Sequence, residues 1–246
     1  MNTPAKLLNS IALLLSLAVY VSAGAADELK SSASGGTETE LAVDPPAPER
    51  IALSRRETEE QLHNLSPIDN FKVAVWSRES RAGAPEGQLF TGAMPSTKAD
   101  FEFLSKLGVK TILNLQGAHT DDGALCLANG LDCVRFPIIA FPMMFSDNPN
   151  FQAAFRRLVK EIEAGSKVYV HCLGGKHRTG ALVLALKIRN TACGRQFNRT
   201  ALRGDIDADL TNYGYDGKKY HGILFNWRND VLNLVNHFER NKWLCE

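Results

Sequence analysis

Neither sign of charge is in excess: 28 Lys and Arg stand against 27 Asp and Glu, a net charge of +1 with the histidines neutral. Nucleic-acid and membrane-coating surfaces need a large surplus of Lys and Arg, so both are excluded as the main role and any taste for anions has to be local. The N-terminal apolar stretch, 7–21, falls short of the roughly 20 residues of a spanning helix and is interrupted by Asn9, Ser10 and Ser16. No cysteine lies near residue 25, which leaves no bacterial-type lipid anchor, and no internal repeat is present.

What the chain does have is an ordinary globular composition, 44% hydrophobic and 22% charged over 246 residues, enough to bury one core. A lysine at position 6, the apolar stretch and the small residues Val21-Ser22-Ala23-Gly24-Ala25 predict a cleaved secretory signal over 1–25. The expected product is exported, periplasmic or secreted, with no stable membrane insertion after signal removal. Residues 26–65 are rich in Ser, Gly, Thr, Glu and Pro and read as a flexible linker; Ser54 and Glu57 form a capping-box pattern for a short helix through His63. The folded domain is expected over 66–246. Five cysteines in an exported chain raise the question of disulfides; with Cys172 kept free, Cys126, Cys133, Cys193 and Cys245 allow three pairings, or some are small buried apolar residues.

Along the domain, 71–75 and 88–91 read as short strands. Ser96 is expected to cap a helix carrying Phe101, Leu104 and Leu107 that stops at Gly108, and 109–115 is an apolar, β-branched strand. A helix over 123–129, a strand over 131–136, a helix over 151–162 and a strand over 167–171 follow. Three helices come last, near 179–191, 199–213 and 221–240. This alternation predicts an α/β fold with a central, mainly parallel sheet of four to five strands, helices on both faces and extra C-terminal helices; ligands then gather beyond the carboxyl ends of the strands.

One segment stands at that end: His171-Cys172-Leu173-Gly174-Gly175-Lys176-His177-Arg178-Thr179-Gly180. It follows a strand, holds two adjacent glycines and opens a helix. Glycines let the backbone turn so that several N–H groups face inward, and the helix N-terminus adds partial positive charge, which together make an anion cradle from Leu173, Gly174, Gly175, Lys176, His177 and Arg178. A cysteine there, near cationic groups, has its pKa drawn down from about 8.5 toward roughly 3.5–7.5, making Cys172 a charged nucleophile at neutral pH. Arg178 can offer two parallel N–H donors to a phosphoryl group, as a lysine cannot.

The loop resembles the signature of the cysteine-dependent protein tyrosine phosphatase superfamily: Cys, five residues, Arg, then a hydroxyl residue. The likeness extends to Asn70-Phe71-Lys72-Val73, to 89–96 with its Gly-x-x-Pro-Ser turn, and to 100–115, which resemble the compact, atypical dual-specificity branch; Gln116 stands where that branch usually has arginine. The resemblance implies a dual-specificity-phosphatase-like fold, a phosphocysteine intermediate and chemistry without cofactor or metal. It also implies Cys172 as nucleophile, Arg178 as clamp, Thr179 as the hydroxyl easing thiolate departure, and His171 as support for the low thiol pKa. Such enzymes take a proton from an aspartate before the signature strand. Asp147 is the candidate by location, equally suited to a turn or cap before Pro149, with Asp121 and Asp122 as alternatives. Lys176 and His177 add positive charge to the loop and suggest phosphoinositides or inositol phosphates beside phosphotyrosine or phosphoserine/threonine proteins as substrates. The segment 141–145 is a candidate pocket wall or a core plug. The reading from another class is a non-catalytic module that binds phosphorylated ligands.

Overall fold

The computed structural model describes residues 55–74, 88–139, 145–215 and 223–246. The expected signal segment, most of the linker and the apolar stretch 141–144 lie outside the described residues. A compact unit spans Glu59–Glu246. The short helix expected through His63 is α1, Arg55–Leu65.

The sheet comprises β1 (Lys72–Ala74), β2 (Gln88–Gly92), β3 (Thr111–Gln116), β4 (Asp132–Ile138) and β5 (Lys167–His171), in the order β1-β2-β5-β3-β4. Only the edge strand β1 is antiparallel; β2, β5, β3 and β4 are parallel neighbours, as the alternation of strands and helices predicts. The connecting helices are α2 (Lys98–Lys106), α3 (Gly123–Ala128), α4 (Pro149–Glu163), α5 (His177–Ala192), α6 (Arg199–Asn212) and α7 (Ile223–Asn236). The last expected helix, over 221–240, stops at Asn236 and continues as a separate 3-10 turn, Phe238–Arg240.

Successive side chains of a strand face opposite sides, and the central strands use this period to serve two cores. Ile112 and Tyr169 join Phe71, Phe101 and Leu104 of α2 on one face, while Leu113, Leu115, Val168 and Val170 join α4, α5, α6 and α7 on the other. Strands buried on both faces read as continuous apolar runs, which is why β3 and β5 are conspicuous in the sequence. Helix α5 is buried along most of its first ten residues, so the loop that feeds it stands between the most enclosed strand and the most enclosed helix.

Local chemistry corrects one cap. Thr97, not Ser96, is the N-cap of α2: its hydroxyl accepts from the Asp100 N–H at 3.3 Å, and the Asp100 carboxylate accepts from both Ser96 and Thr97 N–H groups at 2.8 and 2.9 Å. A reciprocal box of this kind satisfies more orphan donors than a cap one residue earlier. Two disulfides, Cys126–Cys133 and Cys193–Cys245, select one of the three pairings left open by the sequence and leave Cys172 free.

Candidate active site

Because β5 lies between β2 and β3, its carboxyl end is the middle of the sheet, and the loop from Cys172 to Lys176 emerges there. The loop is tied from three sides. The Met94 N–H donates to the Leu173 carbonyl at 3.1 Å, the Asn70 side-chain amide donates to the Gly174 carbonyl at 3.1 Å, and the Tyr215 hydroxyl donates to the His177 carbonyl at 2.6 Å. Asn70 does so from a left-handed backbone, φ 55°, which asparagine tolerates better than most residues. Of the two loop glycines, Gly175 is the one that needs its freedom: φ is 65°, and a Cβ there would overlap the Gly92 carbonyl, whereas a Cβ at Gly174 would meet open space.

Cys172 forms the floor, 4% exposed. Burial is the largest influence on its thiol and pushes the pKa up. Against it act the Thr179 hydroxyl, the Thr179 N–H, the Arg178 charge and the Lys176 N–H, and together they prevail, so the thiol is held below its ordinary value. Thr179 Oγ1 is buried without a well-formed hydrogen bond among the described protein atoms, beside the sulfur it stabilises.

Arg178 enters from the first turn of α5. Its Nη1 donates to the Leu115 carbonyl at 3.3 Å, to Gln116 Oε1 at 2.9 Å and to the Ile138 carbonyl at 3.0 Å. Its Nε is buried and has no partner among the described residues. Three acceptors at one corner of the guanidinium leave the Nε edge, one of the two edges able to grip an anion through parallel N–H donors, unspent.

His171 is fully buried beneath the loop, its ring stacked on Tyr169 at 5.8 Å and its Nδ1 3.3 Å from the Cys172 carbonyl. Its Nε2 lies 3.0 Å from Oδ1 of Asp121, whose side chain is 4% exposed. Asp121 is thus turned toward the loop's underside, and Asp122 caps α3 by accepting from Ala124 and Leu125 N–H groups at 2.9 and 3.0 Å.

Asp147 ends a 3-10 turn, Phe145–Asp147, and the N-cap of α4 is its neighbour Asn148, which accepts from Asn150 and Phe151 N–H groups. The capping role therefore falls to Asn148, and the Asp147 side chain is exposed with no hydrogen bond or ion pair among the described residues. Phe145, from the segment read as wall or plug, is fully buried in the core against Phe151.

The loop's two extra basic residues part company. Lys176 is exposed, but the half-buried His177 packs edge-on against Tyr215 at 5.3 Å and Trp227 at 5.7 Å. Burial, ahead of the charges of Arg178 and Lys176, lowers its pKa, so its ring stays neutral near pH 7 and does not add the positive charge expected of it; a Gly214 backbone hydrogen bond opposes the shift without reversing it. Lys72, whose amine donates to the Asn212 carbonyl at 3.1 Å, lies close enough for the Lys176 charge to reinforce the lowering that burial imposes on it.

Sequence reasoning did not find four participants: Gln116 on Arg178, Asn70 and Tyr215 on the loop carbonyls, and Asp230. The last projects from α7 with Oδ2 buried and without a partner among the described residues, and burial, then the charge of Asp147, raises its carboxyl to about 6. These residues lie between 102 positions upstream and 58 downstream of Cys172, and no local spacing announces them.

The chain is similar in fold to several solved phosphatase structures. The DUF442 protein of Shewanella putrefaciens CN-32 shares 20% identity over 72% of this chain and 95% of its own, with a TM-score of 0.46. The core catalytic domain of the PP-IP phosphatase SIW14 from S. cerevisiae shares 16% over 72% and 95%, with a TM-score of 0.41. TpbA of P. aeruginosa shares 18% over 59% and 86%, with a TM-score of 0.38. A family model described as PTP-NADK, DSP-PTPase phosphatase fused to NAD+ kinase, matches residues 59–211, which contain all five strands and the loop. With more than half of its length matched, the chain belongs to this DSP-PTPase family and is a cysteine-dependent phosphatase of the tyrosine/dual-specificity type.

Proposed function

We propose that the protein hydrolyses phosphomonoesters through a phosphocysteine formed on Cys172. The observation that carries this reading is a free, buried thiol held below its ordinary pKa beside an arginine whose buried Nε has no partner among the described residues. The thiolate attacks phosphorus, forming P–S as the bond to the leaving oxygen breaks, and Arg178 and the loop N–H groups bind the equatorial oxygens. A proton passes from a carboxyl group to the leaving oxygen; Asp147, unspent on capping, is the donor. Water then attacks the phosphocysteine, P–O forms, P–S breaks with the pair returning to sulfur, and the water proton goes to the same carboxylate. Thr179 stabilises the departing thiolate, and His171 holds the carbonyl side of Cys172 from below.

The substrates are phosphorylated proteins or inositol phosphates and phosphoinositides, with Lys176 as the exposed cation of the loop. Export to an oxidising compartment agrees with two disulfides that spare the catalytic thiol, since such pairs persist where thiols are not kept reduced. Replacing Cys172 by serine removes the nucleophile and leaves the cradle. Turnover of an aryl phosphate should vanish in Cys172→Ser while inorganic phosphate still binds, and vanadate should inhibit the native protein. Unchanged turnover in the serine variant rejects the mechanism. A native protein that binds phosphate without turning over any substrate is instead a binding module.

A further inference from the structure

We infer that Gln116 is a positioning residue that aims Arg178, an inference resting on the phosphatase reading of the loop. Gln116 ends β3 with its side chain enclosed, 5% exposed. Two donors converge on Oε1: the Gly117 N–H at 3.0 Å and Arg178 Nη1 at 2.9 Å. That convergence fixes which end of the amide is oxygen, because the NH₂ end could accept neither. The turn carrying it is fixed in its own right, since Arg135 donates from Nε to the Gln116 carbonyl at 3.1 Å and from Nη2 to the Gly117 carbonyl.

The acceptor is both neutral and side-chain. The Leu115 and Ile138 carbonyls also accept from Nη1, but they belong to different strands and are attached to whatever the sheet does. Gln116 closes the third side and thereby sets the roll of the guanidinium, whose buried Nε is left without a partner among the described residues. Being uncharged, it holds the arginine without cancelling the positive charge that lowers the Cys172 thiol. A carboxylate in the same place would hold it and cancel it in part.

The test uses the full chain and needs no turnover. Gln116→Met keeps length and burial and removes the acceptor; Gln116→Asn keeps the amide and withdraws it by one methylene, and serves if the first variant melts early. Inorganic phosphate binding, measured by titration calorimetry, is expected to weaken about tenfold in either, the size of one lost hydrogen bond to a charged group. The pH midpoint for alkylation of Cys172 by iodoacetamide should rise, because a loosened Arg178 stabilises the thiolate less. In a double-mutant cycle, Gln116→Met should cost little once Arg178 is already lysine. Phosphate affinity within twofold of native in a folded variant, an unmoved alkylation midpoint, or simple additivity with Arg178→Lys overturns the assignment. Absence of turnover in the native protein would strike the proposed hydrolysis and leave this cycle readable.

Discussion

In the proposed reaction the loop after β5 supplies the nucleophile and the connection after β4 supplies the acid, yet the two are built on opposite principles. Between Cys172 and Arg178 three carbonyls accept from donors outside the loop and its helix, one glycine occupies a place no side chain could, and the arginine is held at three points. Asp147 has an exposed carboxylate on a single 3-10 turn, with Asn148 taking the structural duty beside it. A thiolate and a phosphate cradle have to exist before substrate arrives, because their energy comes from fixed dipoles. A proton donor need only meet the leaving oxygen, and an exposed carboxylate has the freedom to do so. On the proposed mechanism, the difference teaches that the fold prepares the nucleophile and leaves the acid to the complex.

The comparison is broken most severely at Gly175. A methyl group there must displace the Gly92 backbone, which is paired to His171 in the sheet, and must also adopt φ 65°. Left-handed strain and overpacking against backbone each cost about 1–3 kcal/mol. Gly175→Ala should therefore lower the melting temperature and eliminate phosphate binding and turnover together, whereas Gly174→Ala, facing open space, should leave melting unchanged. Equal behaviour of the two variants would show that the loop is not held where it is described.

The other side is sharpened by Asp147→Asn. If the exposed carboxyl donates the proton, esters of poor leaving groups should slow by about 10²-fold or more, and those of acidic phenols hardly at all. Melting should not fall, because Asn148 is the cap. A rate loss that ignores the leaving group would return the acid role to another carboxyl; Asp121, against His171 in the interior, is then the nearer alternative, and Asp122 is occupied as a cap.

What could be read in the sequence was what is local. The apolar runs of β3 and β5, the Gly-Gly turn, and the Cys-to-Arg spacing all fall within short windows, and each survives as a piece of the structure. The cap at Thr97 was missed by one residue because Ser96 and Thr97 are chemically alike and only the Asp100 carboxylate decides between them. His177 was credited with charge because sequence shows its neighbours and not Tyr215 and Trp227, which remove it from water. The strand order, the disulfide pairing and the hold of Gln116 on Arg178 depend on residues tens of positions apart meeting across the sheet, and no periodicity encodes that meeting. Gln116 had seemed a mere departure from the family's arginine; its acceptor oxygen becomes meaningful only once Arg178 Nη1 is found 2.9 Å away.

The smallest effect belongs to Asp230, the carboxyl that feels the charge of Asp147. Burial first, and the Asp147 charge second, raise it from 3.8 to about 6. Tyr215 is the other titratable group that feels it, while Arg228 on the same helix is engaged by Asp207 and the Tyr215 carbonyl. A carboxyl whose pKa is higher folded than unfolded favours the fold most when protonated, so its contribution is complete below about 4 and is lost as pH rises through about 6. Asp230→Asn removes the ionising group. The variant should melt higher than the native protein at pH 8, and the gap should close steadily on acidification to pH 4. Asp147→Asn should produce a fainter version of the same trend, since it deletes the lesser of the two causes. A melting difference that is constant from pH 4 to 8 would mean that Asp230 is solvated like any surface aspartate, and that the two carboxyls do not sense one another.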